Sequence, residues 1–158
     1  MQVTQIDIDT IKQEMHNESI VFNPDRKRMQ FEITRANTFI CKIIKYLHIK
    51  LITKQREINS IVVLHSYKGC KKQRWHTDFD PELCTRARVM PLSVLIALQD
   101  DTRLYILAEQ INLNKGDILV FDEDLIHAGA DYSCENTRIH MYLDSKCVKR
   151  EHNNTYLH

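Results

Sequence analysis

The stretch INSIVVLHSY (Ile58–Tyr67) begins the part of the chain that decides the fold. It is rich in apolar and β-branched residues, a composition typical of a β-strand. Similar runs follow it, separated by turn-forming Gly, Pro, Asn and Asp residues. These further predicted strands are Leu92–Gln99, Arg103–Leu107, Ile118–Phe121 and Thr137–Leu143. Many short strands at such intervals predict a β-sandwich or barrel, of which a double-stranded jelly roll is one stable form.

The residues before Glu57 show helical periodicity instead. A short helix is predicted over Thr10–His16, and a longer amphipathic helix over Thr38–Arg56. The longer helix has apolar residues at three- and four-residue spacing, which places them on one face. They are Phe39, Ile40, Ile43, Ile44, Leu47, Leu51 and Ile52. Because this face needs an apolar partner, we expect the helix to pack across the back of the larger sheet.

The length and composition of the chain indicate one domain. Its 158 residues with 43% hydrophobic content can bury a single sizeable core. We predict N-terminal helical support over residues 1–57, a jelly-roll catalytic core over 58–145 and a tail over 146–158. The net charge is only +1, so the overall charge does not favour nucleic acid or a membrane surface as a partner.

The cysteines and the N-terminal residues bear on the compartment. The five cysteines are an odd number without a CxxC pair, which predicts reduced thiols rather than a disulfide framework or a zinc site. The first residues, MQVTQIDIDTIKQEM, contain no apolar signal-peptide core. No apolar run is long enough to span a membrane. We therefore expect a soluble intracellular protein, either cytoplasmic or nuclear, without a membrane partner.

Two short motifs carry the candidate chemistry: WHTD (Trp75–Asp78) and LIHAG (Leu125–Gly129). Side chains alternate along a strand, so His76 and Asp78 are expected to project from one face. With His127 on a neighbouring strand, they would form a face of two imidazoles and one carboxylate. This is the ligand set of non-heme Fe(II) oxygenases, which leaves the other side of the metal open for chemistry.

Arg138 follows His127 by eleven residues. Its planar guanidinium is suited to binding a carboxylate in two places at once, which a metal site alone would not require. Arg138 therefore indicates a co-substrate that carries a carboxylate, such as a dicarboxylate.

Together these residues resemble the Fe(II)/2-oxoglutarate-dependent dioxygenase superfamily, whose pattern is His-x-Asp, a long gap, a distal His and a basic residue about ten positions later. The resemblance covers roughly Ile58–Asp144. It implies a double-stranded β-helix core, which is a cupin-like jelly roll. The resemblance also assigns roles to residues of this chain: His76, Asp78 and His127 as iron ligands, Arg138 on the far carboxylate of 2-oxoglutarate, and Tyr67 as a further contact to 2-oxoglutarate.

The activity that the resemblance implies is an Fe(II)- and O₂-dependent hydroxylation of a substrate C–H bond, with release of succinate and CO₂ from 2-oxoglutarate. A protein substrate, hydroxylated at a prolyl or other residue, ranks slightly ahead of a small molecule. A nucleic-acid demethylase is disfavoured because its second arginine on the closing strands is missing, and only Arg150 follows Arg138. Halogenation is disfavoured by the carboxylate of Asp78. The sequence predicts neither the substrate itself nor the oligomeric state.

Two other classes stay open at this point. A cupin-like module that binds a metal without oxygenase activity would share the fold but would not need Arg138 at its position. A different metalloenzyme, such as a cupin-type isomerase or hydrolase with zinc or manganese, would use the same triad without consuming O₂.

Several nearby residues have two interpretations each. His140 shares a strand face with the later arginine, and is either a pocket residue or a hydrogen-bonded core histidine. Ser93 and Tyr105 lie on strands that would approach the co-substrate pocket only in some registers. Trp75 is expected to point away from the metal and to pack. The basic run over residues 68–74 is a solvated loop or a surface for an acidic partner.

Overall fold

A computed structural model of the chain describes residues 1–15, 20–21, 27–33, 35–50, 55–148, 150 and 155–158. Within these ranges there are three helices: α1 (Gln5–Met15), α2 (Thr38–Lys50) and α3 (Pro81–Arg86). The strands are β1 (Ile20–Val21), β2 (Arg28–Glu32), β3 (Arg56–Ser66), β4 (His76–Thr77), β5 (Leu92–Ala97), β6 (Thr102–Ile106), β7 (Glu109–Leu113), β8 (Ile118–Asp122), β9 (His127–Gly129), β10 (Asn136–Ser145) and β11 (Tyr156–Leu157).

The strands form two antiparallel sheets. The larger sheet has the order β1-β2-β3-β10-β5-β8, and the smaller sheet has the order β11-β4-β9-β6-β7. Strand β10 lies inside the larger sheet, where Arg138 is opposite Leu64 of β3 and Ala97 of β5. Two packed sheets of this kind form a jelly roll. The predicted fold class, mainly β with N-terminal helices, is confirmed.

Helices α1 and α2 cover the outer face of the larger sheet. The main hydrophobic core joins residues of both helices to outward-facing residues of β3, β5 and β10; examples are Ile11, Ile43, Val63, Val94 and Ile139. The expected packing of the long helix on the larger sheet is therefore confirmed. As a consequence, the central strands of this sheet are buried on both faces.

The helix boundaries differ from the prediction. Helix α1 begins at Gln5, because Thr4 and Asp7 cap it with two reciprocal hydrogen bonds. The Thr4 hydroxyl accepts a hydrogen bond from the Asp7 amide, and the Asp7 carboxylate accepts one from the Thr4 amide. Helix α2 was predicted to continue to Arg56, but it is described to Lys50 and Arg56 already belongs to β3. The predicted helical positions 51–54, like His16, lie outside the described residues.

The N-terminal segment, predicted as helical support, also contributes β2 to the larger sheet, where it pairs with β3. Its sequence, RMQFE, is short and mostly polar, and so shows little strand periodicity. The predicted tail likewise contributes a strand, β11, which pairs with β4 of the smaller sheet.

Between the sheets, a smaller apolar cluster is formed by Leu95, Ala97, Leu104, Leu113 and Phe121. Three of these residues also border the cavity that contains the two predicted motifs. The inward-facing side chains of both sheets thus form the walls of one interior site. Separately, none of the described helices has both the length and the apolar character needed to cross a membrane.

Candidate metal site

His76 and His127 lie directly opposite each other on the paired strands β4 and β9. Side chains at such positions share one face of the sheet, and their ring centroids are 4.5 Å apart. Asp78 follows β4, with Oδ1 3.6 Å from His76 Nε2 and Oδ2 3.4 Å from His127 Nε2. One ligand atom from each of the three residues lies within 4.8 Å of the other two. The structure therefore brings the three predicted residues together, and all are buried.

The two imidazoles are oriented by the main chain. His76 Nδ1 is 2.8 Å from the carbonyl oxygen of Arg74, and His127 Nδ1 is 2.9 Å from that of Leu125. A carbonyl only accepts hydrogen bonds, so Nδ1 of each ring carries the proton and donates. Each Nε2 therefore faces the site, as is usual for metal-binding histidines.

The charges at the site favour an ionised carboxylate. Burial alone would raise the pKa of Asp78, but the nearby His127, His140 and His76 outweigh it and lower the pKa below its usual value. Burial would lower the pKa of His127, yet the close contact with the Asp78 carboxylate raises it overall. Burial dominates at His76 and lowers its pKa. The donor set is thus one carboxylate and two imidazoles, which suits Fe(II).

One oxygen atom of the Asp78 carboxylate lacks a hydrogen-bond donor among the described residues. This atom is Oδ2, which is buried and accepts no hydrogen bond of good geometry within the described part of the chain. A buried charged oxygen without a partner is costly in free energy. A divalent cation between Asp78 and the two Nε2 atoms would remove this cost, so the residues present fit a metal ion.

Arg138 lies in the same cavity and is buried. Its Nη1 donates a hydrogen bond to Ser66 Oγ at 3.1 Å. The guanidinium carbon lies 5.5 Å from the centre of the Tyr132 ring. No carboxylate of the described residues lies within ion-pair distance of Arg138. A buried guanidinium in this position is suited to an anionic ligand.

A second arginine, Arg28 of β2, reaches the same hydroxyl. Its Nη1 also donates to Ser66 Oγ at 3.1 Å, while Nη2 donates to the Lys71 carbonyl at 2.6 Å and to the Ala130 carbonyl. Arg28 is 4% exposed and lines the cavity. Sequence reasoning missed Arg28 because no strand was predicted there. Sequence reasoning also missed Ser66, which lies on the inner face of β3 with Leu64, because β3 is buried on both faces and its sequence does not mark the inner one.

Of the two interpretations of His140, the structure supports that of a pocket residue, since His140 lines the cavity. Its Nε2 is 3.6 Å from Asp78 Oδ2, and it makes no hydrogen bond of good geometry within the described part of the chain. Burial lowers the pKa of His140 to about 3, so its ring is neutral. The ring stacks on Tyr142 at 4.5 Å.

Tyr67 is placed on the other side of the larger sheet. It shares the outer face with His65, against which its ring packs at 4.5 Å. Its hydroxyl donates to Met29 Sδ at 3.0 Å, and its side chain does not line the cavity of the metal site. The structure thus does not bring Tyr67 to the other predicted site residues.

The remaining candidates also point elsewhere. Ser93 donates to the buried Glu123 at 3.4 Å, and the Tyr105 hydroxyl donates to Gln110 at 2.9 Å. Trp75 packs edge-on against Tyr105 as expected. Lys72, from the basic run, covers both of these rings with its ammonium group.

Comparisons with known proteins agree with this architecture. The chain is similar to HygX from Streptomyces hygroscopicus, solved with nickel and 2-oxoglutarate bound, over 93% of this chain and 81% of that one, with a TM-score of 0.68 and 9% identity. It is similar to an oxidoreductase of the 2OG-Fe(II) oxygenase family from Burkholderia pseudomallei over 87% and 77% of the chains, with a TM-score of 0.60 and 11% identity. The chain has the fold of these proteins.

A third similar structure is the non-heme α-ketoglutarate-dependent epimerase SnoN from nogalamycin biosynthesis. It covers 87% of this chain and 70% of its own, with a TM-score of 0.65 and 11% identity. No protein-family model matches the sequence, and no curated protein does. At these identities the likeness establishes the jelly-roll fold, and the function has to be argued from the site itself.

Proposed function

We propose that this protein is an Fe(II)- and 2-oxoglutarate-dependent oxygenase, with His76, Asp78 and His127 as the metal ligands. The observation that carries the proposal is the joint geometry of the site. Two histidines present Nε2 to an ionised, unsatisfied carboxylate, and a buried arginine lies in the same cavity. HygX was solved with 2-oxoglutarate bound and SnoN is α-ketoglutarate-dependent, which supports this co-substrate for the shared fold.

Arg138 and Ser66 would bind the far carboxylate of 2-oxoglutarate. A serine hydroxyl has two acceptor lone pairs and one donor proton. Both lone pairs of Ser66 are used, because Arg138 and Arg28 each donate to its oxygen. Its proton has no acceptor among the described residues, so it is available for an anionic oxygen. One hydroxyl and one guanidinium then bind one carboxylate group.

When bound, Fe(II) would supply the chemistry by which O₂ oxidises 2-oxoglutarate to succinate and CO₂, with one oxygen atom entering succinate and the other a substrate C–H bond. The chain would hold the co-substrate at Arg138, keep the two imidazoles in one orientation, and keep Asp78 ionised. Leu95, Leu104 and Phe121 border the cavity with apolar surface and limit water near the metal.

The proposed reaction is hydroxylation, and a peptide side chain or a small molecule is the proposed substrate. SnoN has the same fold and is an epimerase, so hydroxylation has to be distinguished from epimerisation of the substrate. Mass spectrometry of products separates the two, because hydroxylation adds one oxygen atom and epimerisation leaves the mass unchanged.

The first experiment is a titration of 2-oxoglutarate into anaerobic Fe(II)-loaded protein, followed by the weak visible charge-transfer band that chelation produces. We expect the band in the parent protein and its absence in His76→Ala and Asp78→Ala, which lose the metal. Arg138→Ala should keep the metal but bind 2-oxoglutarate more weakly by about 2–4 kcal/mol, since a buried charged contact is lost.

Arg103→Ala is the matched control, because Arg103, like Arg138, lies over the ring of Tyr132, but it belongs to β6 of the other sheet and donates to the Asp131 carbonyl. It should leave the affinity unchanged. Equal affinity of the parent and Arg138→Ala would contradict the co-substrate assignment. Absence of the band in the parent would leave the triad as a different metal site or none.

A further inference from the structure

Arg150 lies beyond the last strand of the larger sheet, but its guanidinium is buried next to the metal site, with 9% of the side chain exposed. Its Nη1 donates to the main-chain carbonyl of Asp78 at 2.6 Å. A residue of the C-terminal segment therefore holds the backbone of a proposed metal ligand.

The other nitrogens of Arg150 are fixed by two carboxylates. Nε donates to Asp144 at 3.2 Å, and Nη2 donates to Asp144 at 2.8 Å and to Glu123. Asp144 belongs to β10, and Glu123 follows β8 and is fully buried. Two carboxylates of the larger sheet thus anchor the guanidinium that holds Asp78 at the edge of the smaller sheet.

Aromatic rings form a second connection between Arg150 and Asp78. The guanidinium carbon lies 4.4 Å from the ring centre of Tyr142 and 5.1 Å from that of Phe79. Tyr142 stacks on His140, whose Nε2 faces Asp78. Arg150 therefore contacts the surroundings of Asp78 through the main chain and through this stack of rings.

The C-terminal residues 155–158 contact the strand that carries His76. Strand β11 pairs with β4, with Leu157 opposite His76, and the His158 amide donates to the Trp75 carbonyl at 3.1 Å. Thr155 lines the cavity of the metal site. Residues 155–158 thus extend the smaller sheet on the side of His76.

We infer that Arg150 is a positioning residue for the proposed metal site, which fixes Asp78 by clamping its main chain to Asp144 and Glu123. The inference rests on the proposed function for the identity of the metal. The donors of a guanidinium are spread over three nitrogens and here bond a carbonyl and two carboxylates on different sides, whereas the three donors of a lysine ammonium all lie on one atom. Arg150→Lys therefore keeps the positive charge beside two buried carboxylates but loses the clamp.

The experiment compares the parent, Arg150→Lys and the control Arg103→Lys. Arg103 has the same kinds of contact, since it lies near Asp101, donates to a main-chain carbonyl and covers the ring of Tyr132. Hydrogen–deuterium exchange of the metal-free proteins is measured for peptides covering residues 74–80. Binding of Co(II) is measured by its visible absorption.

We expect Arg150→Lys to exchange faster over residues 74–80 and to bind Co(II) at least tenfold more weakly, with an altered Co(II) spectrum. Arg103→Lys should match the parent in all three readouts. If Arg150→Lys does not fold, the double variant Arg150→Gln with Glu123→Gln replaces it, because it removes the guanidinium and the buried acid that contacts it together.

Parent-like exchange and Co(II) affinity in the Arg150 variant would overturn the inference. Faster exchange with unchanged Co(II) affinity would also overturn it, because Arg150 would then stabilise the fold alone. If the parent binds no Co(II), the proposed function fails. The exchange data on metal-free protein then still decide whether Arg150 orders the segment that carries Asp78.

Discussion

Substitution of Asp78 by Asn tests the proposed metal site most directly, because it keeps the shape of the side chain and removes its charge. Asp78 is the carboxylate nearest to both Nε2 atoms of the histidine pair, at 3.6 and 3.4 Å. An asparagine still reaches His127, but it offers a neutral oxygen to the metal. We therefore expect metal binding to be lost while the fold is kept.

The size of the effect follows from ligand linkage. A metal present at a hundred times its dissociation constant stabilises the folded protein by about 2.7 kcal/mol. For a chain of this length, 1 kcal/mol shifts Tm by roughly 2–4 °C. The parent should therefore gain about 5–11 °C on addition of Co(II), and Asp78→Asn should gain close to nothing.

The assay is differential scanning calorimetry of each protein with and without Co(II). Comparing the shift within one variant removes any change in the stability of its metal-free form. Asp122→Asn is the matched control, since Asp122 is an exposed carboxylate on β8, and it should keep the full shift. An equal metal-induced shift in Asp78→Asn and the parent would refute the assignment of the site.

Three further predictions concern other contacts. Ser66→Ala should weaken 2-oxoglutarate binding about tenfold or more in the charge-transfer titration, because one charge-assisted hydrogen bond is lost. His140→Asn should weaken Co(II) binding by about 10- to 100-fold, as expected for a residue behind the ligands, and complete loss would instead make His140 a ligand. Hydrogen bonds from Thr4 and Lys42 outweigh the burial of Asp7 and lower its pKa in the folded protein. The ionised Asp7 carboxylate therefore stabilises the fold at any pH above its pKa in the unfolded chain, and this stabilisation is lost as the pH falls through its pKa in the folded protein. Asp7→Asn should therefore cost about 1 kcal/mol in urea unfolding at pH 7 and less at pH 3; an equal cost at both pH values would contradict this.

Local patterns in the sequence were sufficient for part of the fold and the site. The apolar positions of α2 follow helical spacing, and the helix packs where this spacing predicts. The spacing of His76 and Asp78 follows strand alternation, and the two side chains meet in the structure. In both cases the signal is a short periodicity that the chain carries by itself.

Tyr67 and Ser66 show where this reasoning stops. Strand β3 has apolar residues on both faces, because helices cover one face and the interior cavity lies on the other. A strand buried on both sides has no alternation that identifies the inner face. The residue-by-residue pattern thus did not show that the hydroxyl bonded to Arg138 belongs to Ser66, while the neighbouring Tyr67 faces outward.

The sequence by itself determined the strand-rich class, the long helix and the chemical types of the candidate ligands, since these depend on residue identity and near-neighbour spacing. Only the tertiary structure decided that Arg28 and Arg150 reach the site. Arg28 is 102 residues from Ala130, and Arg150 is 72 residues from Asp78 along the chain. Contacts over such separations are set by the pairing of strands and the packing of two sheets, and they leave no periodic signal in the sequence around either arginine.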